Sequence, residues 1–350
     1  MFNFTKSFLP GRVPERIEQS QVQRVDTDQR GLIDKILARY SSDFFTLKEL
    51  LQNADDAGAT KVSIHLDRAD SQDNLSKYHE LKVVNNGRPF TPSDWERIRC
   101  IAKGNPDEKS VGYFGVGFYS VFALCDKPTI ESNGEIQTFF WGDAQGQPCV
   151  DGHALFVYGG STGAVATVTD AQNTTVTFAP LKAMCEATTW DLGALARFLV
   201  QALCFPRNLQ QVDLYVDQEH TFGLTRNSTS QRPQALALGF GLCTSSPRGL
   251  FTVQDVEVSS LQLAGYWGGS QQPRDQGSYT LVRSTVRANR DARTQKLWDG
   301  LSAIRKKQEE PIMEVSLLYG DTTLASPQTF LPPSCETATS PPSNGMNLPM

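Results

Sequence analysis

Glu49, Asn53 and Asp56 recur at i, i+4 and i+7 in the segment FTLKELLQNADDAGA. On a helix these three side chains fall within roughly 60° of one another, while Leu47, Leu50, Leu51 and Ala54 form an apolar stripe elsewhere on it. One carboxylate, one amide and a second carboxylate thus share a face, which on its own is the ordinary solvated side of an amphipathic helix. A second segment changes that weighing. GYFGVGFYS sets glycines at 112, 115 and 117 directly before an apolar helical run, so that backbone N–H groups and a helix N-terminus can face phosphate oxygens. The spacing is not the dinucleotide fingerprint, because no strand leads into it. Nor is there a Walker P-loop, since GNPDEKS lacks the glycine before Lys109.

These residues need elements to position them. Leu32, Ile33, Ile36, Leu37 and Tyr40 recur at helical spacing, so the ordered domain is expected to begin near Asp26. The Glu49 helix is expected over residues 46–57, followed by short strands at 61–67 and 81–84. DWERIRCIAKG (94–104) reads as helical and FYSVFALC (118–125) as an apolar helix. Between them, Lys103 to Gly117 is glycine-rich and poor in apolar residues, the composition of a lid with low local stability. From 128 to 180, PTIES, IQTFFW, ALFVY, AVATVT and TTVTFAP read as an antiparallel meander, and 187–204 as a helix packed across it. Further strand-like runs and a helical RTQKLWDGLSAIRKK suggest a second α+β unit. The expected division is a flexible segment 1–24, a main domain 25–205, a partial α+β second domain 206–325 and a disordered Pro/Ser-rich tail 326–350.

Composition bounds the function. With 350 residues and 39% hydrophobic content the chain can bury a sizeable core. Its formal charge of -5 carries no basic block, so no nucleic-acid partner is expected. No run reaches the ~20 apolar residues of a membrane span, so no membrane is expected either. Seven scattered cysteines without a CxxC pair read as reduced thiols in the cytoplasm or nucleus.

Taken in order, these segments resemble the GHKL ATPase superfamily (gyrase, heat-shock chaperone, histidine kinase, MutL), and within it the chaperone and sacsin branch. ELLQNADDAGA is similar to that branch's first motif, and VGYFGVGFYSVFALCDKPTIES to its glycine-rich lid with the helix and strand that follow. TTVTF (174–178) is similar to the strand whose leading threonine, here Thr174, closes the nucleotide pocket. The likeness is tightest to large fungal sacsin-like ATPase proteins and runs from about Asp26 to Tyr319. It implies a Bergerat-type α/β two-layer sandwich, with a mixed, mostly antiparallel sheet, helices on one face and nucleotide between them. It also implies ATP and Mg²⁺ as ligands, Glu49 as general base for the attacking water, Asn53 as Mg²⁺ ligand and Asp56 as a polar group of the pocket wall. Asn85, Asn86 and Gly87 of the second motif, Gly112, Phe114, Gly115, Val116, Gly117 and Phe118 of the lid, and Thr174 complete the implied nucleotide-binding set.

The second motif departs from the family pattern. Asn85 stands where the family has an aspartate that accepts the adenine amino group, and Pro89 stands where it has a second glycine. An amide oxygen can still accept that bond, without the formal charge. His79-Glu80-Leu81-Lys82 is superficially a phosphoacceptor box, but it abuts a strand inside the main domain, which argues against a histidine kinase. Arg283, Arg287, Arg290 and Arg293 read as solvated charge. The expected function is slow Mg²⁺-dependent ATP hydrolysis serving protein folding or quality control, with protein clients or a homodimer as partners. The alternative is a nucleotide-binding switch or scaffold with little or no turnover.

Overall fold

The computed structural model of the chain describes residues 27–38, 44–68, 78–101, 117–143, 145–149, 151–161, 173–182, 190–231, 251–288, 295 and 312–320. The first helix, α1 (Gln29–Leu37), opens at an Asp28 cap whose carboxylate accepts the Gly31 N–H at 2.9 Å. That bond holds the Asp28 carboxyl below its usual range. The second, α2 (Phe45–Asp56), buries the expected stripe of Leu47, Leu50, Leu51 and Ala54, and Thr46 beside it. Two antiparallel strands follow, β1 (Lys61–Arg68) and β2 (Tyr78–Asn85), then a short helix α3 (Pro92–Ile98). In β1 the residues Val62, Ile64 and Leu66 are fully buried, and Lys61, Ser63, His65 and Asp67 alternate with them on the half-exposed face.

The apolar run after Gly117 forms a 3-10 helix, Phe118–Ala123, rather than the expected ordinary helix. The Ser120 carbonyl accepts the Thr46 hydroxyl of α2 at 3.0 Å, and the Leu124 N–H turns to Val121 O at 3.0 Å. Tertiary packing has therefore taken the carbonyl that a regular helix would have used at that turn. Tyr119, Ser120, Val121 and Phe122 are all buried there.

Strands β3 (Thr129–Ser132), β4 (Glu135–Gly142) and β5 (Ala154–Ser161) form the expected meander. The next, β6 (Thr174–Phe178), does not extend it. It returns between β2 and β3 and pairs antiparallel with both. AVATVT, most of the lid from 102 to 116, and the tail lie outside the described residues. Helix α4 (Leu192–Cys204) is capped by Asp191 and crosses to β7 (Gln211–Val216), which pairs parallel with β1. From there β8 (Glu219–Gln231), β9 (Phe251–Trp267), β10 (Asp275–Ala288) and β11 (Ile312–Gly320) continue the same sheet antiparallel. The result is a mixed sheet of 11 strands in the order β11-β10-β9-β8-β7-β1-β2-β6-β3-β4-β5. The chain is thus of the α/β class. Its sheet is larger than the sequence pattern implied, because β7 takes up the free edge of β1. Of the second unit's helical run only Gln295 is described.

The linker after α4 is gripped from two sides. Asp55 accepts the N–H groups of Arg207, Asn208 and Leu209 at 2.8, 2.6 and 3.0 Å. Buried Arg226 donates to the carbonyls of Leu203 and Arg207, and Arg283 to those of Phe205 and Pro206. Arg283, read from sequence as solvated, is therefore a backbone tie. Its partners lie 78 and 77 residues away in the chain, which local pattern cannot bring together. Among the described residues no helix is long and apolar enough to cross a membrane.

Candidate functional site

A cavity of about 220 Å³ opens between α2, α3, the 3-10 helix and the sheet. Val83, Val176 and Ile130 belong to its lining, and they sit side by side in register on β2, β6 and β3. One step along the same strands, Asn85, Thr174 and Ser132 form a polar row. The Asn85 Nδ2 donates to Thr174 O at 3.4 Å, and the Gly87 N–H donates to Asn85 Oδ1 at 3.0 Å. One contact needs a donor and the other an acceptor, so the orientation of the amide is fixed. Thr174 and Ser132 share a hydroxyl bond of 2.8 Å, and Ser132 Oγ accepts the Phe90 N–H at 3.0 Å. Ser132 was not anticipated from sequence, because only strand pairing brings it opposite Thr174.

Asn53, Asp56 and Leu50 supply the α2 wall, and Gly117 and Phe118 the start of the 3-10 helix. Glu49 stands half-buried on the same helix face, and its carboxylate reaches Gly117 so closely that a Cβ there would overlap Oε2. Gly117 is therefore a close-approach glycine. Burial raises the Glu49 pKa above its ordinary value, Lys48 opposes the shift and the neighbouring Asp56 charge adds to it. That direction makes the carboxylate a better proton acceptor than a free one. No cluster of three His, Cys, Asp or Glu side chains suited to a metal occurs among the described residues. Asn53, exposed at the cavity, fits instead as a single protein oxygen for an Mg²⁺ completed by water and phosphate.

Asn53, Asp56, Asn85, Gly117, Phe118 and Thr174 thus line one cavity, and Glu49 touches its edge. Asn86 and Gly87 are not among the lining residues. The Asn86 amide turns away, accepting the Thr60 and Lys61 N–H groups at 2.9 Å and donating to the Thr60 hydroxyl at 2.9 Å, where it ties the start of β1. Gly87 has no room for a side chain, since a Cβ would lie 2.8 Å from Ala57 Cβ. Gly112, Phe114, Gly115 and Val116 lie outside the described residues. Arg88, Asp94 and Arg97 also line the cavity and had no motif to announce them.

The histidines stand apart from the cavity lining. His79 lies exposed within β2, His65 stacks on Tyr215, His153 faces Asp28, and His220 Nε2 lies 3.2 Å from buried Asp213.

An α/β chain with a mixed sheet and a cavity beneath a polar helix face is the class these features define. Residues 28–192 match the family model described as Sacsin domain. Every residue lining the cavity falls within that span. Over 127 residues, 32% of this chain, the sequence is 39% identical to Sacsin of Homo sapiens. The stretch covers 3% of that relative's length.

Proposed function

We propose that the cavity binds ATP with Mg²⁺ and that the chain hydrolyses it slowly, in a Bergerat-type ATPase domain of the GHKL superfamily. The carrying observation is convergence: Asn53 and Asp56 from one helix, Gly117 after the glycine-rich segment, and Asn85 with Thr174 from the sheet line one cavity, with Glu49 against Gly117. In this reading the flat base lies against Val83, Val176 and Ile130 on the sheet, and the Asn85–Thr174 row reads its edge. A volume of about 220 Å³ is below the roughly 300–1,000 Å³ of many ligand pockets, which suits enclosure of the base with the phosphates nearer the mouth.

Glu49 then accepts the proton of the attacking water, its raised pKa bringing it closer to the working pH. Mg²⁺, held by Asn53, supplies charge neutralisation on the phosphate oxygens when bound. The Sacsin-domain match supports a chaperone-related role in folding or quality control; protein clients or a second copy as partners, and the cytoplasm or nucleus as compartment, are part of the proposal. Calorimetry of the chain with ATP, with and without Mg²⁺, followed by a phosphate-release assay, tests the reading. Absence of saturable ATP binding under both conditions would refute it.

A second reading is a nucleotide switch or scaffold with little turnover. Asn85 favours it, because its amide oxygen already accepts the Gly87 N–H, which reduces what it can offer a base. Tight ATP binding without steady-state phosphate release would select this reading.

A further inference from the structure

A charged group with no part in the reading above lines the same cavity. Arg88 Nη1 lies 3.0 Å from Asp94 Oδ2, and Arg97 Nη2 contacts Asp94 Oδ1. Asp94 is itself anchored by the Thr91 N–H at 2.8 Å and the Thr91 hydroxyl at 2.6 Å, within a complete capping box at the start of α3. Burial works against its carboxylate, but the bonds from Thr91 and Arg88 outweigh that and hold its pKa below the usual range. Asp94 thus holds two guanidiniums on this wall of the cavity.

Arg88 ties the loop before α3 to Asp94, Arg97 pairs with Asp94 within α3, and both side chains line the cavity. A guanidinium is a planar fork of five N–H donors and is always charged, so it can be shared between Asp94 and an anion with several oxygens. The α2 wall across the same lining contributes Asp56, with Glu49 behind it. The lining therefore sets a carboxylate of α2 against the guanidiniums of α3 and of the loop before it.

We infer that Arg88 and Arg97, positioned by Asp94, form an anion clamp for the polyphosphate of the nucleotide, so that the site discriminates by phosphate number as well as by base. The inference rests on the nucleotide reading of this cavity and adds the residues that count its charge. Asp94 is a positioning residue. It orients both forks and keeps them from stacking elsewhere.

The test is calorimetry in Mg²⁺ buffer with ATP, ADP, AMP, adenosine and inorganic tripolyphosphate, on the full chain and on Arg88→Gln and Arg97→Gln. Affinity is expected to rise from adenosine to ATP in the unmodified chain, and tripolyphosphate alone is expected to bind. Each substitution is expected to weaken ATP and tripolyphosphate about tenfold, the equivalent of one charge-assisted bond, while leaving adenosine unchanged. Arg88, with 58% of its side chain exposed, keeps the test open if Arg97→Gln does not fold. Unchanged ATP-to-adenosine ratios in the variants would overturn the clamp and leave the nucleotide reading standing. Tripolyphosphate binding that is lost in the variants, with no binding of adenosine or ATP, would do the reverse. No binding of any of these ligands would overturn both.

Discussion

The α2 and α3 walls of the cavity present different polar groups, carboxylate and amide on one and guanidiniums about Asp94 on the other, and are held in place by different means. On α2 the buried stripe of Leu47, Leu50, Leu51 and Ala54 seats the helix on the core, and Glu49, Asn53 and Asp56 lie outside that stripe. On α3, a helix of seven residues, buried Trp95 is joined in the holding by polar side chains, through the Thr91–Asp94 capping box and the two ion pairs to Asp94. The difference teaches where chemistry can be separated from stability. Substitutions on the polar face of α2 should change reactivity and spare the fold, whereas substitutions around Asp94 should change both.

The sharpest test of that separation is Glu49→Ala, which should retain ATP and reduce phosphate release by ~10²- to 10⁴-fold, as loss of a general base does. Equal turnover in the variant and the unmodified chain would remove Glu49 from the mechanism. Gly117→Ala follows. Its Cβ must displace the Glu49 carboxylate, the far end of a flexible side chain, so folding should suffer little. Turnover should fall by about 100-fold through misplacement of the base, and a melting curve beside the rate measurement would expose the opposite pattern.

Asn53→Ala is expected to abolish the tightening of ATP by Mg²⁺, an effect on the order of tenfold for one charge-assisted contact. Unchanged Mg²⁺ dependence in calorimetry would reassign the metal. Asn85→Asp exchanges a neutral for a charged acceptor, a gain of about 1 kcal/mol or roughly fivefold for ATP over GTP. Its second oxygen would then face the Thr174 carbonyl where an N–H now donates. A lower melting temperature is therefore expected together with the tighter binding, and an ATP/GTP ratio that does not move would place base recognition elsewhere.

The smallest effect concerns the pH dependence of stability. Because burial raises the Glu49 pKa, its contribution to stability is fully present below the unfolded value and is lost as pH rises through the folded one. Glu49→Gln, which stays uncharged, should therefore raise the melting temperature at neutral pH. The gain should vanish below about pH 4, where the native carboxyl is also protonated. A gain that persists in acid would point to packing rather than charge.

The elements set by short-range pattern were legible in the chain itself. The α2 stripe and its polar face follow from a period of 3.6 residues, and the alternation in KVSIHLD places Val62, Ile64 and Leu66 inward. Glycine at 117 stood out in the sequence as part of a phosphate-facing segment, whereas its close approach to Glu49 is a result of packing. What sequence could not show was partner choice between distant strands. Ser132 and Thr174 are 42 residues apart, and Asn85 and Thr174 are 89 apart. Backbone ladders use the same N–H and C=O groups whatever the side chains, so nothing local names the neighbour. The same reason hid the return of β6 beside β2 and the docking of β7 on β1, and with it the sheet's extension to 11 strands. It also hid the orientation of three polar residues. Asn86 looked like part of the site and ties Thr60 and Lys61, while Arg88 and Arg97 carried no motif and face the cavity. A side chain's type states what it can bond to, but only the packed structure decides which groups come within reach.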